Sequence, residues 1–148
     1  MSLKKISISN FRCFDNLELT FSDSNNFVYG SNGSGKTSVL EALYFCSTGR
    51  SFKSSNKDLC IQNNKNAFKI QLETIGNNKI CISKELKKSI TFEIDENKAT
   101  SIELFRAIPS TLLDNKTFSM FADTPKYRRK ILDRCLMASD KNYSKDFF

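Results

Sequence analysis

The segment Gly30-Ser31-Asn32-Gly33-Ser34-Gly35-Lys36-Thr37 decides the fold, because it matches the phosphate-binding pattern GxxxxGK[ST] at every fixed position. The short apolar run Phe27–Tyr29 precedes it and predicts a strand, and Lys36–Ser47 follows with the apolar spacing of a helix. Strand, glycine-rich loop and helix in this order are typical of the P-loop NTPases. The sequence therefore predicts an α/β fold that binds a nucleoside triphosphate. The alternative is a glycine-rich turn that only joins strand to helix.

Each residue type in this loop has a physical task. Glycines allow a positive φ and a close approach of the backbone, so that successive N–H groups point at the phosphates. Lys36 is expected to reach the β- and γ-phosphates of ATP, and the Thr37 hydroxyl is expected to ligate Mg²⁺. The predicted nucleotide site consists of Gly30, Ser31, Asn32, Gly33, Ser34, Gly35, Lys36 and Thr37.

Bulk composition narrows the class of protein. The 148 residues fit one domain, and no apolar run approaches the ~20 residues that span a bilayer, so we expect a cytoplasmic protein with no membrane contact. Lys and Arg number 23 against 16 Asp and Glu, and the net charge of +7 favours polyanionic partners, nucleic acid first, although a lysine-rich solvated surface explains it equally well. Histidine is absent, which excludes histidine-based triads and mixed Cys/His zinc sites.

The rest of the chain alternates between strand and helix patterns. Alternating apolar residues predict strands at Leu3–Ser9 and Leu17–Phe21 and a β meander at about 67–95. Ser101–Ala107 reads as a short helix with Ser101 as its cap, and Ile108–Leu113 reads as a further strand. A basic helix is expected at about 125–137, with Pro125 in its first turn.

Two groups of residues resemble a known family. Phe27–Leu43 reads FVYGSNGSGKTSVLEAL and, with Asn10-Phe11-Arg12 upstream, resembles the SMC-like branch of the ABC ATPases. Gly49–Phe52, GRSF, and Pro125–Asp133, PKYRRKILD, resemble more narrowly the RecF family of bacterial recombination mediators. The resemblance covers essentially the whole chain and implies an ABC/SMC-type head with an antiparallel β subdomain beside the P-loop strand and helix, incomplete at its C-terminus.

This resemblance implies a function and partners. Members of the family bind ATP with Mg²⁺, dimerise in an ATP-dependent way on DNA, both single-stranded and gapped duplex, and act in DNA repair, replication, recombination and the SOS response. They work with RecO and RecR to load RecA. We expect the chain to be the N-terminal part of such a protein.

The resemblance also assigns residues outside the P-loop. Asn32 fits the family pattern GxNGxGK and is expected to face the γ-phosphate, and Arg12 is expected beside the nucleotide. Both Arg12 and Arg50 have an alternative, structural role on the surface. The basic helix either binds DNA phosphates or is a packing helix with a solvated face. The DNA-binding candidates are Arg50, Lys126, Arg129, Lys130 and Arg134.

The chain departs from the family in what it lacks. Neither a signature motif nor a Walker B strand with its catalytic acid is found, and the nearest imitation, Ser110–Asp114, is short and follows Pro109. We therefore expect ATP binding without turnover by this chain alone, and assign no catalytic residue. Two alternatives stay open: a small P-loop phosphotransferase, and a truncated nucleotide-binding or interaction module.

Overall fold

The computed structural model describes residues 2–113 together with 129, 132, 133, 135, 136, 139 and 140. The chain divides into two compact units, Met1–Ile108 and Pro109–Phe148. The first unit is one antiparallel sheet with helices against it. Its elements are β1 (Leu3–Phe11), β2 (Phe14–Thr20), α1 (Lys36–Thr48), a 3₁₀ turn (Lys57–Cys60), β3 (Ala67–Thr74), β4 (Lys79–Glu85), β5 (Thr91–Ile94), β6 (Asn97–Lys98) and α2 (Ser101–Ala107).

The six strands lie in the order β2-β1-β3-β4-β5-β6, and every neighbouring pair is antiparallel. Strand β1 is central to the fold because it pairs with β2, its neighbour in sequence, and with β3, which follows α1. The predicted meander at about 67–95 is formed by β3, β4 and β5. Side chains alternate along β3 and β4, so that one face of the sheet carries the core.

The core lies between this face and α1. Ile6 and Ile8 of β1 are buried opposite Leu72 and Ile70 of β3, in the register of the sheet. Above them, three phenylalanine rings meet edge to face. Phe68 lies 5.1 Å from Phe11 and 5.7 Å from Phe45 of α1, measured between ring centroids. These contacts fix α1 on the sheet, and the P-loop lies at the N-terminus of α1.

The ends of both helices are set by local chemistry. Helix α1 begins after Gly35 and ends before Gly49, both glycines being in the left-handed region, and the Gly49 N–H donates to the Phe45 carbonyl. Helix α2 is capped by Thr100 and not by Ser101, so the cap predicted from the sequence is wrong by one residue. The Thr100 hydroxyl accepts from the Glu103 N–H, and the Glu103 carboxylate accepts from the Thr100 N–H, which is a capping box.

Two predicted strands are wrong. Phe27–Tyr29 has no strand partner among the described residues, and Phe27 and Tyr29 are 84% and 91% exposed. An apolar run becomes a strand only where a neighbouring strand satisfies its backbone, and the six described strands pair with one another instead. Ile108–Leu113 is also irregular, with Pro109 removing a backbone donor.

In the second unit, the described residues of the predicted basic helix are helical. These are Arg129, Leu132, Asp133, Cys135 and Leu136, followed by Ser139. The Asp140 N–H donates to the Leu136 carbonyl, as in a helical turn. Arg129 and the apolar Leu132 and Leu136 are exposed. Pro125 and the remaining positions of this helix lie outside the described residues.

Candidate functional site

The P-loop forms the wall of an open cavity. Gly30, Gly33 and Gly35 all have positive φ, as expected from the motif. At Gly35, with φ of 91°, a Cβ would also overlap the Phe14 ring and lie 2.8 Å from the Cys13 sulfur. The loop therefore requires glycine at Gly35 both for its backbone conformation and for its close approach to the β1–β2 turn.

The lysine of the loop is held by the loop itself. The Lys36 Nζ donates to the Gly30 carbonyl at 2.9 Å and to the Ser31 carbonyl at 2.8 Å. The carbonyl of Gly35 accepts from Ser38 and Val39, so the loop runs directly into the first turn of α1. The positive end of the helix dipole and the ammonium thus face the same space, which favours an anion there.

The cavity has a volume of about 640 Å³ and brings most of the predicted nucleotide site together. Arg12 lies on its wall, in the turn between β1 and β2. Gly30 and Ser31 contribute their carbonyls to Lys36 instead, and Ser34 closes the loop through a hydrogen bond from its N–H to Ser31. The predicted residues that line the cavity are Arg12, Asn32, Gly33, Gly35, Lys36 and Thr37.

Sequence reasoning missed a carboxylate behind this wall. Glu41 of α1 is completely buried, and it accepts hydrogen bonds from Arg12 Nε at 3.0 Å and from Arg12 Nη2 at 2.6 Å. Burial by itself raises the pKa of the Glu41 carboxyl. Hydrogen bonds from Arg12 and Ser51, with the charges of Arg12 and Lys53, outweigh that effect and hold the pKa below its ordinary value. A glutamate within the apolar run VLEALYF was the signal that could have revealed it.

Of the DNA-binding candidates in the first unit, Arg50 does not line this cavity. Arg50 is exposed and lines a separate hollow of about 440 Å³, together with Lys53, Lys57 and three serines. Arg129 is exposed on the second unit. Lys126, Lys130 and Arg134 lie outside the described residues, and so does Asp114 of the weak Walker B imitation.

The residues that line the cavity suit a nucleotide with its metal. Arg12, Lys36 and Lys53 supply positive charge, and Thr37 supplies a hydroxyl of the kind that ligates Mg²⁺ beside bound phosphates. All five cysteines are free thiols. Within the described ranges, no cluster of three Cys, Asp or Glu residues could hold a metal by itself, and no helix is long and apolar enough to cross a bilayer.

Comparisons with known proteins agree with this geometry. A family model described as an AAA domain matches residues 5–147. The DNA replication and repair protein RecF of Proteus mirabilis is 35% identical over 140 residues, covering 90% of this chain and 39% of that protein. A solved structure of the recombination mediator protein RecF-ATP in the RecFOR pathway has a TM-score of 0.82 at 27% identity, covering 99% of this chain and 40% of the other.

A solved structure from work on the ATP-driven dimerisation and DNA-stimulated activation of SMC ATPases shows the same fold. Its TM-score is 0.72 at 16% identity, and the alignment covers 91% of this chain and 99% of that one. The predicted fold class is thus confirmed as an ABC/SMC-type P-loop NTPase. This chain spans about two fifths of the length of the RecF proteins it matches. It belongs to the AAA domain family, and it is similar to the N-terminal portion of RecF.

Proposed function

We propose that this chain binds ATP in the P-loop cavity and forms the nucleotide-binding part of a DNA replication and repair protein. The observation that carries the proposal is the convergence of Lys36, Thr37 and Arg12 on one cavity at the N-terminus of α1. The similarity to RecF, including a RecF-ATP structure, supports ATP as the nucleotide. In this proposal the loop N–H groups and Lys36 bind the phosphates, and Arg12 and Asn32 lie beside them.

Mg²⁺ is the metal proposed at this site. The Thr37 hydroxyl would hold it together with the nucleotide phosphates, where the ion neutralises phosphate charge. We expect binding without turnover by this chain, because hydrolysis requires a further carboxylate to organise the metal and the water. Release of phosphate from ATP by the purified 148-residue chain would contradict this expectation.

We further propose that the whole protein binds DNA, single-stranded or gapped duplex, and that two copies dimerise around ATP. The net charge of +7 and the exposure of Arg50 and Arg129 support a polyanionic partner. Roles in recombination and the SOS response, contacts with RecO and RecR, and a cytoplasmic location come from the family resemblance and are part of the same proposal.

The two alternative functions fare differently. A compact phosphotransferase of the doubly wound kind needs a parallel sheet around its P-loop, whereas all strand pairs of the described residues are antiparallel. The sheet therefore argues against a kinase. The second alternative, a nucleotide-binding module that does not dimerise, is tested by sedimentation with and without Mg·ATP. A lone module stays monomeric in both conditions, whereas an intact head forms a dimer when the nucleotide is present.

Titration calorimetry with Mg·ATP tests nucleotide binding directly. We expect the unmutated chain to bind, and Lys36→Ala to bind at least about tenfold more weakly, because the phosphates lose a direct charge partner. Lys69→Ala is the matched control, since Lys69 is exposed on β3 away from the cavity. Equal affinities of the Lys36→Ala and Lys69→Ala variants would refute the site.

DNA binding by the whole protein is tested separately, by fluorescence anisotropy with a gapped duplex over a range of salt concentrations. Each phosphate contact that is lost lowers the slope of log K against log salt by about 1. We expect Arg50→Ala and Arg129→Ala each to lower that slope. Slopes unchanged in both variants would contradict the proposed DNA contacts without affecting the nucleotide site.

A further inference from the structure

Glu41 is a buried charge that the P-loop motif does not explain. It lies in α1, downstream of Lys36 and Thr37, and its side chain is 0% exposed. Buried carboxylates are rare unless they are paired, and this one has several partners. Arg12 binds it in a fork, with Nε 3.0 Å from Oε2 and Nη2 2.6 Å from Oε1. The pair joins the P-loop helix to the β1–β2 turn.

The same carboxylate also fixes the segment that follows α1. The Ser51 hydroxyl donates to Glu41 Oε1, and the Lys53 ammonium lies 3.7 Å from Oε2. Ser51 Oγ in turn accepts from the N–H groups of Lys53 and Ser54, both at 3.0 Å. The backbone that carries Lys53 is therefore anchored to α1 through one hydroxyl and one carboxylate.

The two cations held by Glu41 both line the nucleotide cavity, but Glu41 itself does not. Arg12 is further restrained because its Nη1 donates to the Leu59 carbonyl at 2.7 Å. One carboxylate facing two cations leaves a net positive charge on the cavity wall. A long side chain fixed in advance loses less conformational entropy when it meets a ligand, which improves affinity. A directly exposed carboxylate would instead repel phosphate.

We propose that Glu41 is a positioning residue of the nucleotide site. It holds Arg12 and the segment Ser51–Lys53 against α1, so that the helix that carries the P-loop also carries the cationic wall of the cavity. Glu41 makes no contact with the ligand, and its effect on a bound triphosphate passes through Arg12 and Lys53. This inference rests on the proposed nucleotide binding and deepens it.

The central variant is Glu41→Gln, which keeps the shape of the side chain but removes the charge and one acceptor of the Arg12 fork. Calorimetry with Mg·ATP on the 148-residue chain is expected to give about tenfold weaker binding. Glu18→Gln makes the same chemical change on β2, where Glu18 pairs with Lys5 outside the cavity, and is expected to bind as the unmutated chain does.

A double-mutant cycle separates positioning from general stability. If Glu41 acts through Arg12, Glu41→Gln weakens ATP binding in the unmutated background more than in the Arg12→Ala background. A second readout needs no nucleotide: the Nε–H proton of Arg12, observed by NMR, should be protected from exchange in the unmutated chain and lose that protection in Glu41→Gln. Additive effects on affinity, with Arg12 Nε–H equally protected in both proteins, would overturn the inference.

Ser51→Ala guards against a Glu41→Gln variant that fails to fold. It removes the hydroxyl that ties the loop to Glu41 but keeps every charge, and we expect about threefold weaker binding of Mg·ATP. If whichever of Glu41→Gln and Ser51→Ala folds binds Mg·ATP as tightly as the unmutated chain, the inference is overturned. The proposed nucleotide site is not affected by that result. If the unmutated chain does not bind Mg·ATP, the proposed function fails, and retained protection of Arg12 Nε–H in Glu41→Gln would overturn the positioning role as well.

Discussion

A single residue, Glu41, brings together charges from three separate parts of the chain. Its ion pair with Arg12 is nearly excluded from water, because the side chains are 0% and 20% exposed. The hydrogen bond with Glu41 raises the pKa of the Arg12 guanidinium, although burial acts in the opposite direction. Both groups are therefore charged at neutral pH. From acidic to neutral pH the stability of the pair must depend on the protonation of the Glu41 carboxylate, since the Arg12 guanidinium does not titrate there.

Acid is predicted to weaken this pair. Because the pKa of Glu41 is lower in the folded than in the unfolded chain, its contribution is fully present above the unfolded pKa, about 4.3. It is lost as the pH falls through the folded pKa. Denaturant unfolding from about pH 7 to about pH 3 should show the stability gap between the unmutated chain and Glu41→Gln closing. Glu73→Gln, at a half-buried position of β3 outside the Arg12 pair, is the control, and a constant gap for Glu41→Gln contradicts the assignment.

Glycine at two loop positions is predicted to matter for different reasons. Gly33 has φ of 82° and open space where a Cβ would lie, so Gly33→Ala adds only backbone strain, about 1–2 kcal/mol. Gly35→Ala adds the same strain and an overlap with the Phe14 ring and the Cys13 sulfur. Urea unfolding should therefore rank Gly35→Ala below Gly33→Ala in stability. Equal stabilities would mean that the β1–β2 turn moves to relieve the overlap, and the reverse order would contradict the close approach at Gly35.

At the scale of elements, particular residues determine where the helices begin and end, whereas a segment forms a strand only beside a neighbouring strand. The P-loop helix begins where Gly35 turns the chain, and α2 begins where Thr100 and Glu103 exchange hydrogen bonds. These signals are local, so they operate wherever the segment lies. Phe27–Tyr29 has the composition of a strand, but no described strand lies beside it. A strand depends on a neighbour that is often far away in sequence.

The cap of α2 gives a prediction at this scale. Thr100→Ala removes the hydroxyl of the capping box and should cost about 1 kcal/mol of unfolding free energy. Ser101→Ala changes the residue that sequence alone favoured as the cap, and should be close to neutral because Ser101 is already inside the helix. Chemical denaturation of the two variants decides between the caps. A larger loss for Ser101→Ala would contradict the capping box.

At the scale of the whole molecule, the first unit is held together by one core between the sheet and α1. The edge-to-face contacts of Phe11, Phe45 and Phe68 lie within it, and each of these rings is almost completely buried. The same arrangement places the P-loop at the end of α1 and Arg12 at the end of β1. The core therefore determines the shape of the nucleotide cavity, although none of these three rings lines it.

Two phenylalanines at opposite extremes of exposure test this view of the core. Phe45→Ala should cost about 3–5 kcal/mol, because it opens a cavity between α1 and β3. Phe27→Ser should change the stability of this chain by less than about 0.5 kcal/mol, since Phe27 is 84% exposed. Both values are measurable by urea unfolding. A large loss for Phe27→Ser would show that this segment packs against something in solution.

The sequence by itself determined the P-loop, the helix after it, the antiparallel meander and the family resemblance. Each rests on a local pattern: glycine and lysine at fixed spacing, or alternation along a strand. Only the tertiary structure placed Lys53 beside the P-loop and gave Glu41 its partners, because those contacts join the β1–β2 turn, α1 and the loop after α1. It also decided that Phe27–Tyr29 is not a strand here. The physical reason is that a buried charge or a strand edge requires a partner, and the position of that partner is set by the fold and not by neighbouring residues.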